Sequence, residues 1–500
     1  EGKFGFAGAF NGSNSQITTS TNVPITGSFS ISLWIKQVGS DYTRTGTIVD
    51  FGYNSSPDMF LWIDNGIVRL SHPGGDYYYT SATTQGVWNH ILITRNASNT
   101  TSYYLNGSLD STDTGWTTNA DHEFTIGYSP IRNSGSSGRL AGSIDQVRIY
   151  DSALSAANVT ALYNEIECPA VAVTNAFNTV LYTGNSGTQP ISTVGFKPDL
   201  VWMKSRNTGN ARNPIIFDSV RGVTKYLKTN TSETQATLST TLTSFNTNGF
   251  SIGSSAALNE NNSNWVAWNW KAGGTAVSNT DGTITSQVSA NADAGFSIVK
   301  YTGNGNTAQQ SYGHGLSSAP ELLITKNMDT ATQGTNSWVV GGTLLGNGGY
   351  IFLNNSNAKA TASSYNGNKV PDSEVIYTSG TSDLVGNQNG INFITYCFAS
   401  IPGYSKVGSY VGTGGNQTIY VGFEPRFVLI KRATGGSLNG WVLSDSKRGA
   451  GINLFANTSG AEVNETAYGP TSFTSSGFTL AQAGGNTNIS GSTYIFMAIA

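Results

Sequence analysis

Apolar and polar residues alternate over short stretches of this chain, a pattern that predicts β-strands with one buried face. A different, mostly apolar stretch recurs at 265–270, 393–398 and 494–499, and all three copies have apolar residues at the first, fourth and sixth places. Each copy closes a longer unit that opens with a tyrosine and a glycine. The recurrence predicts an array of related modules and not one large enzyme fold.

The three units share further features at matched positions. Their opening tyrosines, Tyr182, Tyr301 and Tyr410, stand 119 and 109 residues apart. Each unit keeps the same interval between a proline and a lysine, and the three intervals are 198–204, 320–326 and 425–431. This length is too great for a solenoid repeat and predicts small independent domains, each with its own core.

The first and third units are the most alike. Asp218 and Asp445 each begin a five-residue motif that ends in an arginine and a glycine. Phe245 and Phe473 each precede a Gly-Phe pair by the same spacing. The middle unit lacks both features and is therefore the most diverged.

Residues 1–166 follow a different pattern. Alternation places four apolar residues of one strand on the same sheet face: Phe29, Ile31, Leu33 and Ile35. Further strands are predicted over 88–94 and 142–150. A short helix is predicted after Ser155 as N-cap, with an apolar side formed by Val159, Leu162 and Tyr163.

The order of these pieces resembles the laminin G-like, concanavalin A-like sandwich family. The motifs that carry the resemblance are Phe10-Asn11-Gly12, Ser32-Leu33-Trp34-Ile35, Trp88-Asn89-His90-Ile91, Tyr104-Leu105-Asn106-Gly107, Phe124-Thr125-Ile126-Gly127 and the strand 142–150 leading to Ala153-Leu154-Ser155. The resemblance implies a jelly-roll sandwich, a fold that hosts lectins, adhesion modules, glycan hydrolases and inert spacers.

The three later units resemble a β-rich module that is repeated in virion proteins of tailed bacteriophages, particularly marine ones. The residues that carry this resemblance are the Tyr-Thr-Gly-Asn openings at 182 and 301, the segments 194–198, 314–316, 319–320 and 265–272, and the linker stretches 279–286 and 289–296. The resemblance implies a location on the virion more than an activity.

The predicted fold class is therefore all-β and multi-domain. A concanavalin A-like jelly-roll sandwich over 1–166 precedes three related β-sandwich repeats, which are predicted at 173–273, 295–402 and 403–500. The chain begins with Glu1 and ends within a strand pattern at Ala500, which is typical of processing or of a piece of a longer polypeptide.

Composition narrows the classes of partner. Charged residues make up 11% of the chain, against about a quarter in an average protein. The formal net charge of -3 and the lack of basic runs argue against a nucleic-acid partner, and no apolar run is long enough for membrane insertion. The 2 cysteines, Cys168 and Cys397, cannot form a disulfide framework.

The sequence predicts no catalytic residues, no metal site and no cofactor. Glycoside hydrolysis needs a facing pair of carboxylates, whereas Asp145 and Asp151 are isolated, and Asp145 is interpreted as a turn residue. The four histidines lack metal-ligand spacing. His90 lies in a core-strand motif, and His314 takes the turn position that Val194 holds in a sister unit, so both are interpreted as structural.

The candidate ligand-binding residues are aromatic residues near polar ones in the first domain: Trp62, Asp76, Tyr77, Tyr79 and Trp116. Such rings stack on a sugar while carboxylates or amides take its hydroxyls. The alternative is that 77–80 is simply a strand with one buried face. Some members of the resembled family bind calcium at loop carboxylates, for which Asp41 and Asp76 are weak candidates.

The sequence thus predicts a non-enzymatic protein on the virion surface of a tailed phage, either a tail-fibre component or a capsid decoration. Its expected partners are other virion proteins, a host-surface glycan bound by the first domain, and further copies of itself in a homo-oligomer. The alternatives are a polysaccharide-degrading virion enzyme and a secreted bacterial adhesin.

Overall fold

The computed structural model describes the chain except residues 1–2, 4–6, 44, 52–58, 73–74, 79, 115–118, 130–137, 165–174, 208–211, 330–335, 380–385, 435–439 and 482–485. The chain divides into two compact units, Glu1–Cys168 and Pro169–Ala500. Strands dominate both units, which confirms the predicted all-β class.

The first unit is a sandwich of two six-stranded sheets, ordered β1-β12-β3-β8-β9-β10 and β2-β11-β4-β5-β6-β7. Its strands are β1 (Gly8–Asn11), β2 (Ile17–Thr26), β3 (Phe29–Lys36), β4 (Gly46–Asp50), β5 (Phe60–Asp64), β6 (Ile67–His72), β7 (Gly75–Tyr78), β8 (Asn89–Arg95), β9 (Thr100–Leu105), β10 (Ser108–Thr114), β11 (Asn119–Ile126) and β12 (Ala141–Tyr150). A 3-10 turn occupies Gly39–Thr43.

The core of the first unit forms as the alternation predicts. Phe29, Ile31, Leu33 and Ile35 all lie in the apolar cluster between the sheets. Helix α1 (Ala156–Tyr163) follows the predicted N-cap, because the Ser155 side chain accepts a hydrogen bond from the backbone of Asn158. The helix covers the outer face of one sheet, where Val159 packs on Leu92 and Tyr104.

The second unit contains three copies of one sandwich, here called repeats 1, 2 and 3 over the ranges predicted above. The strands of repeat 1 are β13 (Phe177–Thr183), β14 (Gln189–Ile191), β15 (Leu200–Ser205), β16 (Ile215–Asp218), β17 (Lys225–Lys228), β18 (Ala236–Thr237), β19 (Leu242–Asn246), β20 (Gly249–Ile252) and β21 (Asn264–Trp270), with helix α2 (Ala256–Asn259). The linker adds β22 (Val277–Asn279), β23 (Ser286–Asn291) and the 3-10 turn Ala292–Ala294.

Repeats 2 and 3 complete the chain. Repeat 2 has β24 (Phe296–Thr302), β25 (Gln310–Gly313), β26 (Leu322–Asn327), β27 (Val339–Gly341), β28 (Gly349–Phe352), β29 (Ala360–Thr361), β30 (Val375–Thr378) and β31 (Asn392–Phe398), with 3-10 turns at Thr343–Leu345 and Tyr365–Asn368. Repeat 3 has β32 (Ser405–Val411), β33 (Gln417–Tyr420), β34 (Phe427–Arg432), β35 (Val442–Asp445), β36 (Ile452–Phe455), β37 (Val463–Asn464), β38 (Pro470–Thr474), β39 (Gly477–Leu480) and β40 (Thr493–Ile499).

The large sheets of the three repeats have the same strand order. Repeat 1 is β13-β21-β15-β16-β17-β18, repeat 3 is β32-β40-β34-β35-β36-β37, and repeat 2 is β24-β31-β26-β27-β28-β29 with the linker strands β23 and β22 added at the β24 edge. Each closing strand lies inside its sheet and pairs with a strand on both sides. The small sheets have three, two and three strands, so repeat 2 is the most diverged, as the sequence predicted.

The recurring prolines occupy the same turn. The residue after each proline donates its backbone N–H to the closing strand, over 2.8 Å from Asp199 to Trp270, 2.9 Å from Glu321 to Phe398 and 2.7 Å from Arg426 to Ile499. Because proline sets its own φ, it favours this turn directly before a strand.

The tyrosine and glycine of each opening form a clasp. Tyr182, Tyr301 and Tyr410 donate their hydroxyls to the carbonyls of residues 258, 386 and 487. In each repeat the next residue is a buried asparagine whose amide bonds the segment after the glycine, and these are Asn259, Asn387 and Asn488. A Cβ at the glycine, as at Gly184, would collide with backbone, so glycine is required.

The repeats are not independent domains, which corrects that part of the sequence prediction. Each has a small core of its own between its two sheets. The other face of every large sheet contributes to one shared core, in which Trp268, Trp270, Phe296, Phe398 and Phe427 meet. The mostly apolar closing strands are typical of strands buried on both faces, but this pattern does not say whether the second face packs within the same repeat or against a neighbour.

The three repeats close into a cycle. Gln235 of repeat 1 donates its backbone N–H to Met328 of repeat 2 over 2.9 Å. In the same way, Lys359 of repeat 2 donates its backbone N–H to Ala433 of repeat 3 over 2.9 Å. Glu462 of repeat 3 donates its backbone N–H to Arg206 of repeat 1 over 3.2 Å. Each repeat therefore contacts the next through the same strand ends, and the last contacts the first.

Two of the three junctions contain a buried acid. Asp218 of repeat 1 pairs with Arg221 and accepts a 2.7 Å hydrogen bond from the Tyr396 hydroxyl of repeat 2. Asp445 of repeat 3 pairs with Arg448 and accepts a 3.0 Å bond from the Trp268 indole of repeat 1. The closing strand of repeat 3 has apolar Met497 at this position, and repeat 2 lacks the acid. A junction therefore has both the buried acid and the side chain that donates to it, or it has neither.

Candidate ligand site

Trp62, the first of the predicted ligand residues, lies within β5 with only 7% of its surface exposed. Its indole N–H donates to the Ser71 hydroxyl over 3.1 Å. The Arg69 guanidinium lies 4.8 Å from the centre of the Trp62 ring. The arginine therefore covers one face of this ring, and ligand binding by Trp62 stays a prediction.

The other predicted residues are only partly placed. Asp76 and Tyr77 lie in β7, where strand pairing sets Asp76 opposite Ser71 and Tyr77 opposite Leu70, a residue of the core. Tyr79 and Trp116 lie outside the described residues. Ser71 pairs with Asp76 and accepts the hydrogen bond from Trp62, so Asp76 and Trp62 lie in the same part of the sheet. The predicted strand over 77–80 instead runs from Gly75 to Tyr78.

A different surface emerges at one end of the sandwich. Three segments, 37–43, 64–66 and 81–88, are tied together there, and we call them the loop edge. Gly86 donates its N–H to the Gln37 carbonyl over 2.9 Å, and Thr83 donates to the Gly66 carbonyl over 2.9 Å. The Tyr42 hydroxyl donates to the Thr83 carbonyl over 2.6 Å. These bonds connect loops that are 17 to 49 residues apart in the sequence.

The loop edge presents apolar surface to solvent. Val38 is 51% exposed and Val87 is 48% exposed, and half-buried Trp88 follows Val87 directly. The bond between Gly86 and Gln37 brings the two valine-bearing segments side by side. Exposed apolar residues brought together on a rigid surface are typical of contact sites.

The 64–66 segment of the loop edge carries polar groups. Asp64 accepts hydrogen bonds from the Thr45 hydroxyl over 3.0 Å and the Asn65 amide over 3.1 Å. Its second oxygen lies 3.3 Å from Arg69, and the two side chains are 24% and 15% exposed. Carboxylate, amide and guanidinium groups can bind the hydroxyls of a sugar, and apolar side chains such as the valines can pack on its carbon-bound face.

The sequence missed the loop edge for a physical reason. Val38 and Val87 stand next to glycines in stretches without strand periodicity, so each alone is an unremarkable surface residue. Their proximity depends on hydrogen bonds between segments that are distant in sequence. The only local signals are the Asn65-Gly66 turn and the Val87-Trp88 pair, and Trp88 was assigned to the strand that in fact begins at Asn89.

Two buried histidines have structural contacts. His90 is 2.8 Å from the Ser32 hydroxyl and packs beside the rings of Trp34 and Tyr163, and burial lowers its pKa to about 4. His314 accepts the Leu316 N–H over 3.1 Å, and burial likewise lowers its pKa. The His314 backbone bonds Glu374 as Val194 bonds Asn248, which agrees with the predicted equivalence of these positions.

Acidic candidates are also accounted for by local structure. Asp145 lies at a β-bulge and accepts the N–H of Gln146, whose φ is 51°, in keeping with its interpretation as a turn residue. Asp41 lies in the Gly39–Thr43 turn.

Within the described residues, no three His, Cys, Asp or Glu side chains gather in a way that could hold a metal ion. None of the described helices is long and apolar enough to span a membrane.

Comparison with known families agrees with the division of the chain. Residues 10–160 match the concanavalin A-like lectin/glucanases superfamily, which confirms the predicted fold of the first unit. Residues 172–500 match the family described as a domain of unknown function, DUF7483. No curated protein matches the chain.

Several solved structures resemble part of the chain. A pentraxin from Limulus polyphemus is 16% identical, with 31% of this chain and 80% of that chain covered and a TM-score of 0.26. Domain 4 of the arabinanase AbnA from Geobacillus stearothermophilus, in complex with arabinotriose, is 23% identical, with 32% and 76% covered and a TM-score of 0.25. The CBM40 of the IT-sialidase from Ruminococcus gnavus, bound to alpha2,3 sialyllactose, is 14% identical, with 30% and 97% covered and a TM-score of 0.24.

Proposed function

We propose that this chain, which belongs to the DUF7483 family, is a non-enzymatic surface protein of a tailed-phage virion. In this proposal the concanavalin A-like unit is the adhesion module and binds a glycan, while the three repeats form a rigid body. The protein is a tail-fibre component or a capsid decoration, with other virion proteins and further copies of itself as partners.

One observation carries the proposal of a scaffold role for the repeats. The residues that recur in all three repeats are buried, and the tyrosines, asparagines and lysines among them are hydrogen-bonded within the second unit. The lysines illustrate this, because Lys204, Lys326 and Lys431 are at most 1% exposed and donate to backbone carbonyls. Repeated residues that are used for internal contacts support the interpretation that the repeats are retained for their architecture.

The loop edge is the proposed glycan site. Lectin-like sandwiches commonly carry their contacts on loops, because loops vary without disturbing the core. The tied loops of this unit lose little conformational freedom on binding, which lowers the cost of recognition. We expect weak binding at one site, and several copies on a particle would raise the avidity by roughly 10² or more.

The test compares full-length variants in glycan-array and host-cell binding. Replacing Val38 and Val87 together by serine should lower binding at least tenfold. Leu109→Ser is the matched control, because Leu109 is 56% exposed on β10 of the same unit but is not part of the loop edge. Equal loss in both variants, or no loss in either, would refute the assignment of the site.

The virion location has its own test. Labelled antibodies against the full-length protein, imaged on intact particles, should decorate the tail or the capsid surface. Particles that carry no label, together with protein found in the medium of uninfected bacteria, would favour the secreted adhesin instead.

A further inference from the structure

A cleft of about 400 Å³ opens on repeat 1. One wall is the turn after β16, including Val220 and Val223, and the other is the segment Gly274 to Ala276 that leads into β22. Half-buried Phe245 also lines it. The cleft is separate from the loop edge and belongs wholly to the second unit.

Exposed apolar residues concentrate around this cleft. Of the four exposed large apolar residues in the described part of the second unit, three are here: Val223 at 37%, Leu238 at 41% and Val277 at 65%. Val277 directly follows Ala276. Leu238 donates its backbone N–H to Thr224, next to Val223, over 3.0 Å. Such a concentration marks an interaction surface more often than chance exposure.

Repeat 3 provides an internal control, because it builds the same turns with different residues. Glu465 donates to Gly451 over 2.9 Å as Leu238 donates to Thr224, so Glu465 is the counterpart of Leu238. By the same alignment Ala450 replaces Val223. The fold therefore does not require apolar residues at these positions, and their presence in repeat 1 needs another explanation.

The charge beside the cleft also differs between the two repeats. Exposed Lys197 precedes Pro198, where repeat 3 has exposed Glu424 before Pro425. No carboxylate among the described residues forms an ion pair with Lys197. The other charged group, Asp199, is buried, and its carboxylate accepts bonds from Ser219 and from the backbone of Ala272 and Gly274. The accessible charge of the cleft is thus positive.

A strand edge lies next to the cleft. Strand β22 pairs with β23 on one side, and no strand within the described residues pairs with its other side. In this sheet, the linker strands β23 and β22 are added beside β24, the first strand of repeat 2. An exposed edge offers backbone donors and acceptors to one more extended segment.

We propose that this cleft docks an extended segment of a partner protein. An apolar side chain of the partner enters the cleft between Val220 and Phe245, a carboxylate pairs with Lys197, and the partner backbone pairs with β22. Main-chain bonds then supply affinity, while the cleft and the lysine supply specificity. This inference does not depend on the glycan site and holds for any role of the first unit.

The experiment selects peptides from a displayed library of random dodecamers on the immobilised full-length chain. Enriched peptides should combine apolar residues with an acid, and their affinity is measured by fluorescence anisotropy. The test variant carries the repeat 3 residues at the matched positions, namely Lys197→Glu, Val223→Ala and Leu238→Glu. Because repeat 3 folds with these residues, the variant should fold, which circular dichroism and thermal unfolding check.

We expect the triple variant to lose peptide binding at least tenfold. The control Val411→Lys alters an exposed apolar residue, 55% exposed, that does not line the cleft, and should bind as the wild type does. Lack of enriched peptides, or peptides that bind the triple variant equally well, would overturn the proposal. Concentration-dependent dimers of the wild type that the triple variant abolishes would assign the surface to self-association and overturn the partner assignment.

Discussion

Buried ionisable side chains are the most informative single residues of this protein. Burial lowers the pKa of Lys204 to about 7 and that of Lys431 to about 8, because the charged form loses hydration. Both lie at recurring positions whose sequence pattern predicted only a strand. Their burial could not be predicted, because the covering surface belongs partly to a neighbouring repeat, as when Lys431 donates to Ser356 over 2.9 Å.

These lysines predict a pH dependence of the second unit. Between pH 7 and about 10 the unfolded lysines hold more protons than the folded ones, so the free energy of unfolding should rise with pH. Above about 10 it should fall, because burial raises the pKa of Tyr182 and Tyr301 well above that of unfolded tyrosine. Urea unfolding across this range measures the effect.

The contribution of one lysine can be isolated by substitution. Lys204→Met should flatten the rise between pH 7 and 10. Lys406→Met is the control, because Lys406 is exposed on β32 and should leave the slope unchanged. A wild-type slope in the Lys204 variant would contradict the proposed origin of the effect.

The buried His90 predicts that the first unit loses stability in acid. Its folded pKa of about 4 lies below that of an unfolded histidine, so stability present above pH 6.5 is lost as the pH falls toward 4. The pKa difference corresponds to about 3 kcal/mol. His90→Gln should remove this part of the acid sensitivity, as measured by denaturant unfolding at pH 7 and pH 4. An unchanged pH dependence would refute the assignment to His90.

At the scale of elements, the junctions between repeats are held by different chemistry at matched positions. Tyr396→Phe leaves the Asp218 carboxylate without one of its buried donors and should lower the stability of the second unit by about 2 kcal/mol. The equivalent Met497→Leu, at the junction without an acid, should cost less than about 1.5 kcal/mol. Thermal unfolding of the two variants compares the junctions, and equal losses would contradict a specific role for the acid.

The sequence predicted the recurring closing stretches and proline turns of the repeats, but it did not predict how the repeats associate. Recurring residue patterns were sufficient to find the closing strands, the prolines and the opening tyrosines, although the closing strands also pack against neighbouring repeats. The clasp asparagine was missed although it stands six residues before the first residue of every closing stretch, as Asn259 does before Trp265. Its neighbours differ in each repeat, and only the structure shows its shared hydrogen bonds.

Site prediction was limited in the same way. Trp62 was chosen as an aromatic residue near polar ones, and that neighbourhood is real, but Arg69 occupies the ring face. The loop edge and the repeat 1 cleft each combine segments that are distant in sequence, so no local pattern could predict either. In the cleft, comparison of Leu238 with Glu465 required the structural alignment of the two repeats.

For the whole molecule, the central expectation is binding without catalysis. Incubating the full-length protein with host capsule or lipopolysaccharide should release no reducing ends, because the sequence offers no close pair of carboxylates for glycoside hydrolysis. The measurement needs a known depolymerase as positive control. Steady cleavage that a single Asp or Glu substitution abolishes would instead establish the enzyme alternative.

The closed cycle of repeats has a genetic consequence. In an assembly of three identical chains, every mutation appears on all three faces at once. Here the three faces are encoded separately, so one can change while the other two keep their residues. Lys197 and Glu424, which stand at the same place in matched turns, are an example of such independent change. Threefold architecture is thereby combined with three surfaces that natural selection can modify one at a time.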